Sequence, residues 1–168
     1  SKLSNVASAL IQAVRNGKRV TVQIELQARF DEEANIGYAE EMKKEGINLI
    51  FGVPGLKVHS KICVVHRIEG DILKRYGFIS TGNFNEDTAK IYTDYTLFTS
   101  HQPILKEVEK VFRFLEASYK INKYKHLVVS PHSTSSFFTS LIEQEITLVK
   151  KGKKGLIKLK MNSLTNYN

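Results

Sequence analysis

The chain has 168 residues, 42% apolar and 25% charged, a composition that suits one compact domain with part of another and excludes wholesale disorder. No apolar run approaches the roughly 18 residues that a membrane-spanning helix needs. The formal charge is +8, and nearly all of it sits in residues 119–160, where nine lysines face two glutamates. Such a stretch favours polyanions, and it equally fits a solvated lysine-rich linker and turn. Cys63 is the single cysteine, so no internal disulfide or cysteine-cluster zinc site can form; this fits a reducing cytoplasm. The opening Ser1-Lys2-Leu3-Ser4 has no Met and no signal-peptide pattern, and reads as an internal cut.

In chain order, Val6, Leu10, Ile11 and Val14 recur at helical spacing over 4–14, and Asn16-Gly17 ends that run. Residues 19–26 alternate as a strand, with Val20, Val22, Ile24 and Leu26 on one face. A second helix is predicted over 31–44, acidic in its first turn and stopped at Gly46. Residues 47–51 form a short apolar strand, so the segment reads as a strand–helix–strand unit with a parallel pair and right-handed crossover. Strands follow at 57–66 and 76–80, joined as a hairpin through Glu69-Gly70-Asp71, and another at 93–98. Residues 102–115 make an amphipathic helix with Pro103 at its start. After a linker at 119–125, a helix is expected over 133–149, opened by Ser-Thr-Ser caps, and then a strand over 155–161.

Three local features carry chemistry. In Pro54-Gly55-Leu56-Lys57-Val58-His59-Ser60-Lys61, strand alternation puts Lys57, His59 and Lys61 on one face and Val58, Ile62 and Val64 on the other. Flanking ammonium groups keep an imidazole neutral near pH 7 and attract phosphate oxygens, an arrangement suited to nucleophilic attack on phosphorus. The same triplet also fits an exposed surface strand. Some twenty residues on, Ser80-Thr81-Gly82-Asn83-Phe84-Asn85-Glu86 offers uncharged donors around a turn that Gly82 frees to take an unusual backbone angle, or simply a cap for a following helix. Arg29 ends the first strand, at the edge where ligands collect in parallel sheets, and can fork onto phosphate or pair with Asp31 or Glu33. Tyr92 offers a hydroxyl or a ring face, or sits at the rim of the core.

Taken together, ELQARFDEEANI, PGLKVHSK, TGNFNE and KIYTDYTLF resemble the C-terminal catalytic region of polyphosphate kinase, with similarity from about Ser4 to Met161. The resemblance implies an α/β fold of phospholipase D type, a mixed sheet flanked by helices: residues 1–125 the first half-domain, lacking a first strand upstream, and 126–168 the truncated opening of a second. It implies reversible transfer of the ATP γ-phosphate to inorganic polyphosphate through a phosphohistidine on His59, with Lys61 on phosphate oxygens. Asn83 and Asn85 match the accompanying turn, Tyr92 a tyrosine near ATP, and Arg29 an arginine beside a magnesium–phosphate site. Arginine has no lone pair for a metal, so Mg2+ is expected on the nucleotide phosphates and water. The implied partners are ATP or ADP, polyphosphate, the rest of the same chain with a second histidine–arginine half-site, and further copies in a homo-oligomer; nucleic acid is not expected. By itself the segment is expected to be inactive. A general phospholipase D pattern puts Asp seven residues after the histidine, where this chain has His66; polyphosphate kinases also lack that Asp. The alternatives are a phospholipase D-like phosphodiesterase or nuclease using His59 and Lys61, and a non-catalytic polyanion-binding module.

Overall fold

The computed structural model describes residues 4–25, 32–118 and 122–161. The chain forms two compact units, residues 1–123 and 124–168. In the first, the elements are α1 (Asn5–Arg15), β1 (Thr21–Ile24), α2 (Glu32–Lys44), β2 (Asn48–Phe51), β3 (Lys61–Glu69), β4 (Ile72–Ser80), α3 (Thr88–Ile91), β5 (Thr96–Thr99) and α4 (Gln102–Glu116).

The Ser4 hydroxyl accepts the Ala7 N–H and starts α1. The strand–helix–strand unit forms as its periodicity requires: β1 and β2 pair in parallel from Thr21↔Asn48 to Ile24↔Phe51, with α2 between them in sequence. Gly46 ends α2 at φ 87°, a left-handed angle that a Cβ disfavours. That angle lets the Gly46 and Ile47 N–H groups reach back to Lys43 and Met42 carbonyls. Ile47 then lands on Met42, and both are buried with Ala7 and Ile11, with Leu10, Val14, Val20, Val22, Ile24 and Leu49 packed around them. α1 closes in the same way at Gly17 and Lys18.

β3, β4 and β5 form an antiparallel ladder. The hairpin turns on Gly70-Asp71, with Gly70 at φ 60° matching the twist of the strands. α4 covers one face of this ladder, and Leu105 and Val108 are fully buried there. Gly77 allows that approach, since a Cβ would lie 2.2 Å from the Cys63 carbonyl oxygen and 2.9 Å from a Leu105 methyl. Beyond β5 the Gln102 side chain acts as a surrogate strand, accepting the Arg75 N–H at 3.0 Å and donating to the Arg75 carbonyl at 2.9 Å. Glu109 of α4 clamps the paired residues His66 and Arg75, with Arg75 Nε donating to it at 2.6 Å.

The α/β class is as expected, with parallel and antiparallel pairing both present, but the mixed sheet divides into two ladders among the described residues. Residues 52–60 cause the break: Gly52 and Gly55 have positive φ, and Val53 and Leu56 bridge in a tight turn, so no regular partner runs from β2 into β3. The third strand accordingly starts at Lys61, not at Lys57, and the fifth runs 96–99 instead of 93–98, preceded by the short α3. Leu26, Arg29, Asp31 and residues 119–121 of the predicted linker lie outside the described residues.

In the second unit α5 (Thr134–Lys150) is the one regular element among the described residues. Ser133 precedes it without a side-chain cap bond, so the predicted Ser-Thr-Ser cap is not made; the Ser136 hydroxyl donates instead to the Ser133 carbonyl. The predicted strand over 155–161 does not form, because no partner strand is present to pair with it among the described residues of this unit. Residues 155–156 turn back on the helix end, with the Leu156 N–H on the Glu145 carboxylate at 3.0 Å.

Candidate active site

His59 stands just ahead of β3, and Lys61 is its first residue. The Lys61 side chain is buried down to 9% exposure and turns back on the histidine: Nζ lies 2.8 Å from His59 Nδ1 and donates to the His59 carbonyl at 2.7 Å. The imidazole is held below its ordinary pKa, first by the Lys61 ammonium, then by partial burial and by Lys57. Lys61 is itself lowered by burial, opposed by the charge of Asp94. The lowered proton affinity favours the neutral ring, with Nδ1 within hydrogen-bond reach of the lysine. That is the form of histidine that attacks phosphorus.

The strand register brings further groups to this face. Lys61 pairs with Ser80, and Ser80 with Thr96, a polar row across three strands. The Ser80 and Thr96 hydroxyls are 2.8 Å apart, and the Gly82 N–H donates to Ser80. The pairing continues past the strand ends through the Thr81 N–H on the Tyr95 carbonyl. The Thr81 hydroxyl donates to Asp94 at 3.0 Å. Asp94 lies inside the predicted KIYTDYTLF string, but nothing in its local spacing singles it out; only the cross-strand register brings it to the site.

The turn after β4 differs from expectation. Gly82 does not take a left-handed angle; it is needed because the Asp94 carboxylate occupies the position of its missing Cβ, 2.4 Å away. The Asn85 side-chain oxygen accepts the Asp87 and Thr88 N–H groups at 3.0 Å each, so this side chain is anchored at the start of α3 through its oxygen, and its NH2 group is the donor it can offer a ligand. Asn83 is exposed. Tyr92 is 65% exposed at the C-terminal end of α3, ahead of β5. Arg29 lies outside the described residues.

A depression of about 460 Å³ lies at the end of the parallel pair, lined by Glu25, Phe51, Val53, Pro54, Leu56 and Lys57 among others. His59 does not line it. Glu25 ties the two regions together by accepting the Val58 N–H at 3.4 Å. No group of three carboxylate, histidine or cysteine side chains able to hold a metal comes together among the described residues.

His66, where the phospholipase D pattern has Asp, points to the α4 face of β3, where Glu109 holds it. The opposite parity of Lys61 puts it on the other face. His66 is thus part of the packing between ladder and helix.

Comparison with known proteins agrees with this geometry. A family model described as polyphosphate kinase C-terminal domain 1 matches residues 1–121, and one for C-terminal domain 2 matches residues 127–168. The chain belongs to the polyphosphate kinase family. It is 48% identical to a polyphosphate kinase of Vibrio parahaemolyticus and 43% identical to one of Escherichia coli, in each case over 99% of this chain and 24% of the relative. The crystal structure of polyphosphate kinase from Porphyromonas gingivalis superimposes with a TM-score of 0.84 at 41% identity, covering 99% of this chain and 28% of that one. The fold is thus the phospholipase D-like α/β fold of polyphosphate kinase. The chain spans about a quarter of the length of the curated relatives it matches. Among the described residues, no helix is long and apolar enough to cross a membrane.

Proposed function

We propose that this segment carries the nucleophilic half of a polyphosphate kinase active site, with His59 as the phosphate carrier. The observation that carries the reading is the His59 ring held 2.8 Å from the Lys61 ammonium, whose charge lowers its proton affinity. The lone pair of a His59 ring nitrogen forms the N–P bond as the bond from the γ-phosphorus to its bridging oxygen breaks, and ADP leaves with that electron pair. In the second half a terminal oxygen of polyphosphate attacks the same phosphorus and the imidazole leaves. Lys61 turns from the ring to the phosphate oxygens as they arrive, exchanging one partner for another of opposite charge. Mg2+ comes with the nucleotide phosphates as part of the substrate. Arg29 and Tyr92 are proposed beside phosphate and ATP, and Asn83 on phosphate; the cap made by Asn85 favours a supporting part for that residue.

Residues 1–125 are read as one phospholipase D-like half-domain and 126–168 as the opening of the next, supported by the two family models. The second half-site and the subunit contacts of a homo-oligomer would come from other parts of the full kinase. A cytoplasmic location, with or without peripheral membrane contact, belongs to the same reading.

The test uses the full kinase chain with γ-labelled ATP and Mg2+, with and without His59→Ala. An acid-labile, base-stable label that disappears in the variant is the expected result. A label that persists in His59→Ala overturns the assignment, and cleavage of a phosphodiester without nucleotide would put the phosphodiesterase reading in its place.

A further inference from the structure

His59 lies outside both ladders. Residues 57–60 take no regular structure, and pairing resumes only at Lys61↔Ser80. Backbone that leaves a ladder needs other partners to hold one position. His59 has one on each side of its Cα, and both are side chains. After the Cα, the His59 carbonyl accepts Lys61 Nζ at 2.7 Å. Before it, the Val58 N–H donates to the Glu25 carboxylate at 3.4 Å, across 33 residues of sequence. Glu25 stands one residue beyond the last pair of the parallel ladder, Ile24↔Phe51, and its side chain reaches from there to the segment that leads into β3. Its own carbonyl accepts the side-chain amide of Asn35, in α2, at 3.1 Å. Asn35, Glu25 and Val58 are all half-buried, so these bonds are partly shielded from water.

We infer that Glu25 is a positioning residue for phosphoryl transfer at His59: its carboxylate, fixed at the end of β1 by Asn35, anchors the backbone from which the imidazole projects. The inference rests on the function proposed above. Attack on phosphorus needs the ring nitrogen in line with the breaking bond, and a misplacement of about 1 Å can cost about 100-fold in rate. Lys61 alone does not supply that fixity. Its ammonium contacts the ring and the carbonyl of the same residue, and in the proposed reaction it turns to the phosphate oxygens. The Glu25 bond goes to backbone and takes no part in that exchange, so it holds His59 while Lys61 changes partner. It also joins the parallel ladder, which carries Glu25, to the segment entering the antiparallel one. The role requires an acceptor oxygen at the right reach; it does not require the negative charge.

The experiment measures single-turnover labelling of the full kinase chain from γ-labelled ATP, per folded molecule, together with amide hydrogen exchange of the segment around Val58. Glu25→Asp keeps the charge but shortens the reach. It should lower the rate at saturating ATP on the order of tenfold, with little change in the ATP concentration giving half-maximal rate. Glu25→Gln keeps the reach and an acceptor oxygen without the charge, and should stay within about threefold of the wild type. Exchange around Val58 should be faster in Glu25→Asp and unchanged in Glu25→Gln. Asn35→Ala releases the Glu25 carbonyl; it should slow transfer in the same direction and add little to Glu25→Asp in the double variant. If Glu25→Asp does not fold, Asn35→Ala against Glu25→Gln carries the same comparison. A Glu25→Asp rate equal to the wild type overturns the inference, and so does a Glu25→Gln rate as low as that of Glu25→Asp. A loss that falls on the half-saturating ATP concentration with the saturated rate unmoved overturns it too. Persistence of the label in His59→Ala removes the function on which it rests, a failure visible before any Glu25 variant is compared.

Discussion

Glu109→Gln is the substitution whose consequence can be worked furthest. Glu109 projects from α4 onto the β3–β4 pair with its side chain 17% exposed, and Arg75, whose Nε donates to it at 2.6 Å, is 15% exposed. His66, bonded to the same carboxylate oxygen, is half in water. Removing a charged partner from a hydrogen bond in so dry a place costs about 1.5–3 kcal/mol. The exposed His66 bond adds a few tenths at most, roughly the worth of a screened surface pair. Glutamine keeps an acceptor oxygen of the same shape, so the loss should be about 2 kcal/mol at neutral pH. The pH dependence gives a second reading. Burial by itself would raise the Glu109 carboxyl, but the bonds from Arg75 and His66 outweigh it and hold the group below its ordinary value. A depressed folded pKa gives stability that is present above the unfolded value and is lost as pH falls through the folded one. The difference between wild type and Glu109→Gln should therefore be full at pH 7 and shrink below about pH 4. Urea unfolding followed by far-ultraviolet circular dichroism measures both, and a cycle with Arg75→Met isolates the coupling, expected at about 1–2 kcal/mol. A change under about 0.5 kcal/mol, or a gap that widens in acid, would refute the reasoning.

Leu105→Ala should cost about 3–4 kcal/mol in the same unfolding measurement, because the side chain is fully buried between α4 and the ladder and lies close to the backbone at Gly77. Lys61→Met should raise the pKa of His59, since the Lys61 ammonium is the largest influence lowering it; proton resonances of the imidazole across pH 5 to 8 read the shift, and an unmoved titration would deny the coupling. Asn85→Ala should cost about 1 kcal/mol by uncapping α3, while phosphate labelling of the full kinase survives; loss of labelling in a folded variant would give Asn85 a direct part in the site. Neutralising Lys150, Lys151, Lys153 and Lys154 in the full kinase should weaken polyphosphate binding and flatten its salt dependence, and an unchanged salt slope would leave those lysines a solvated turn.

What the sequence made legible follows from the range of the forces involved. The helices α1, α2 and α4 and the β3–β4 hairpin rest on local signals, namely apolar spacing, glycine stops and a two-residue turn, and all of them form. The start of β3 was misplaced because alternation continues through Lys57 and His59, whereas a strand needs a hydrogen-bonded partner, and pairing begins only at Lys61. Residues 155–161 failed for the same reason: they alternate, but no strand lies beside them among the described residues. At the site, the imidazole between cations could be read from spacing alone. Asp94 could not, since its nearness to Lys61 comes from a register spanning 33 residues, and the demand on Gly82 is for space where local sequence suggested an unusual angle.

The two faces of β3 also separate His66 from Lys61. Residues of odd number from Lys61 onward face away from α4, and those of even number face it, so His66 cannot share the site with Lys61 whatever its charge. An Asp at that position would meet Glu109, where His66 and Arg75 now supply two donors to one carboxylate, and the result would be a like-charge contact in a partly buried place. The histidine therefore stabilises the packing beneath the strand and leaves the other face to Lys61, with His59 just ahead of the strand. Such a surface favours anions, and the same charges lower the proton affinity of the imidazole.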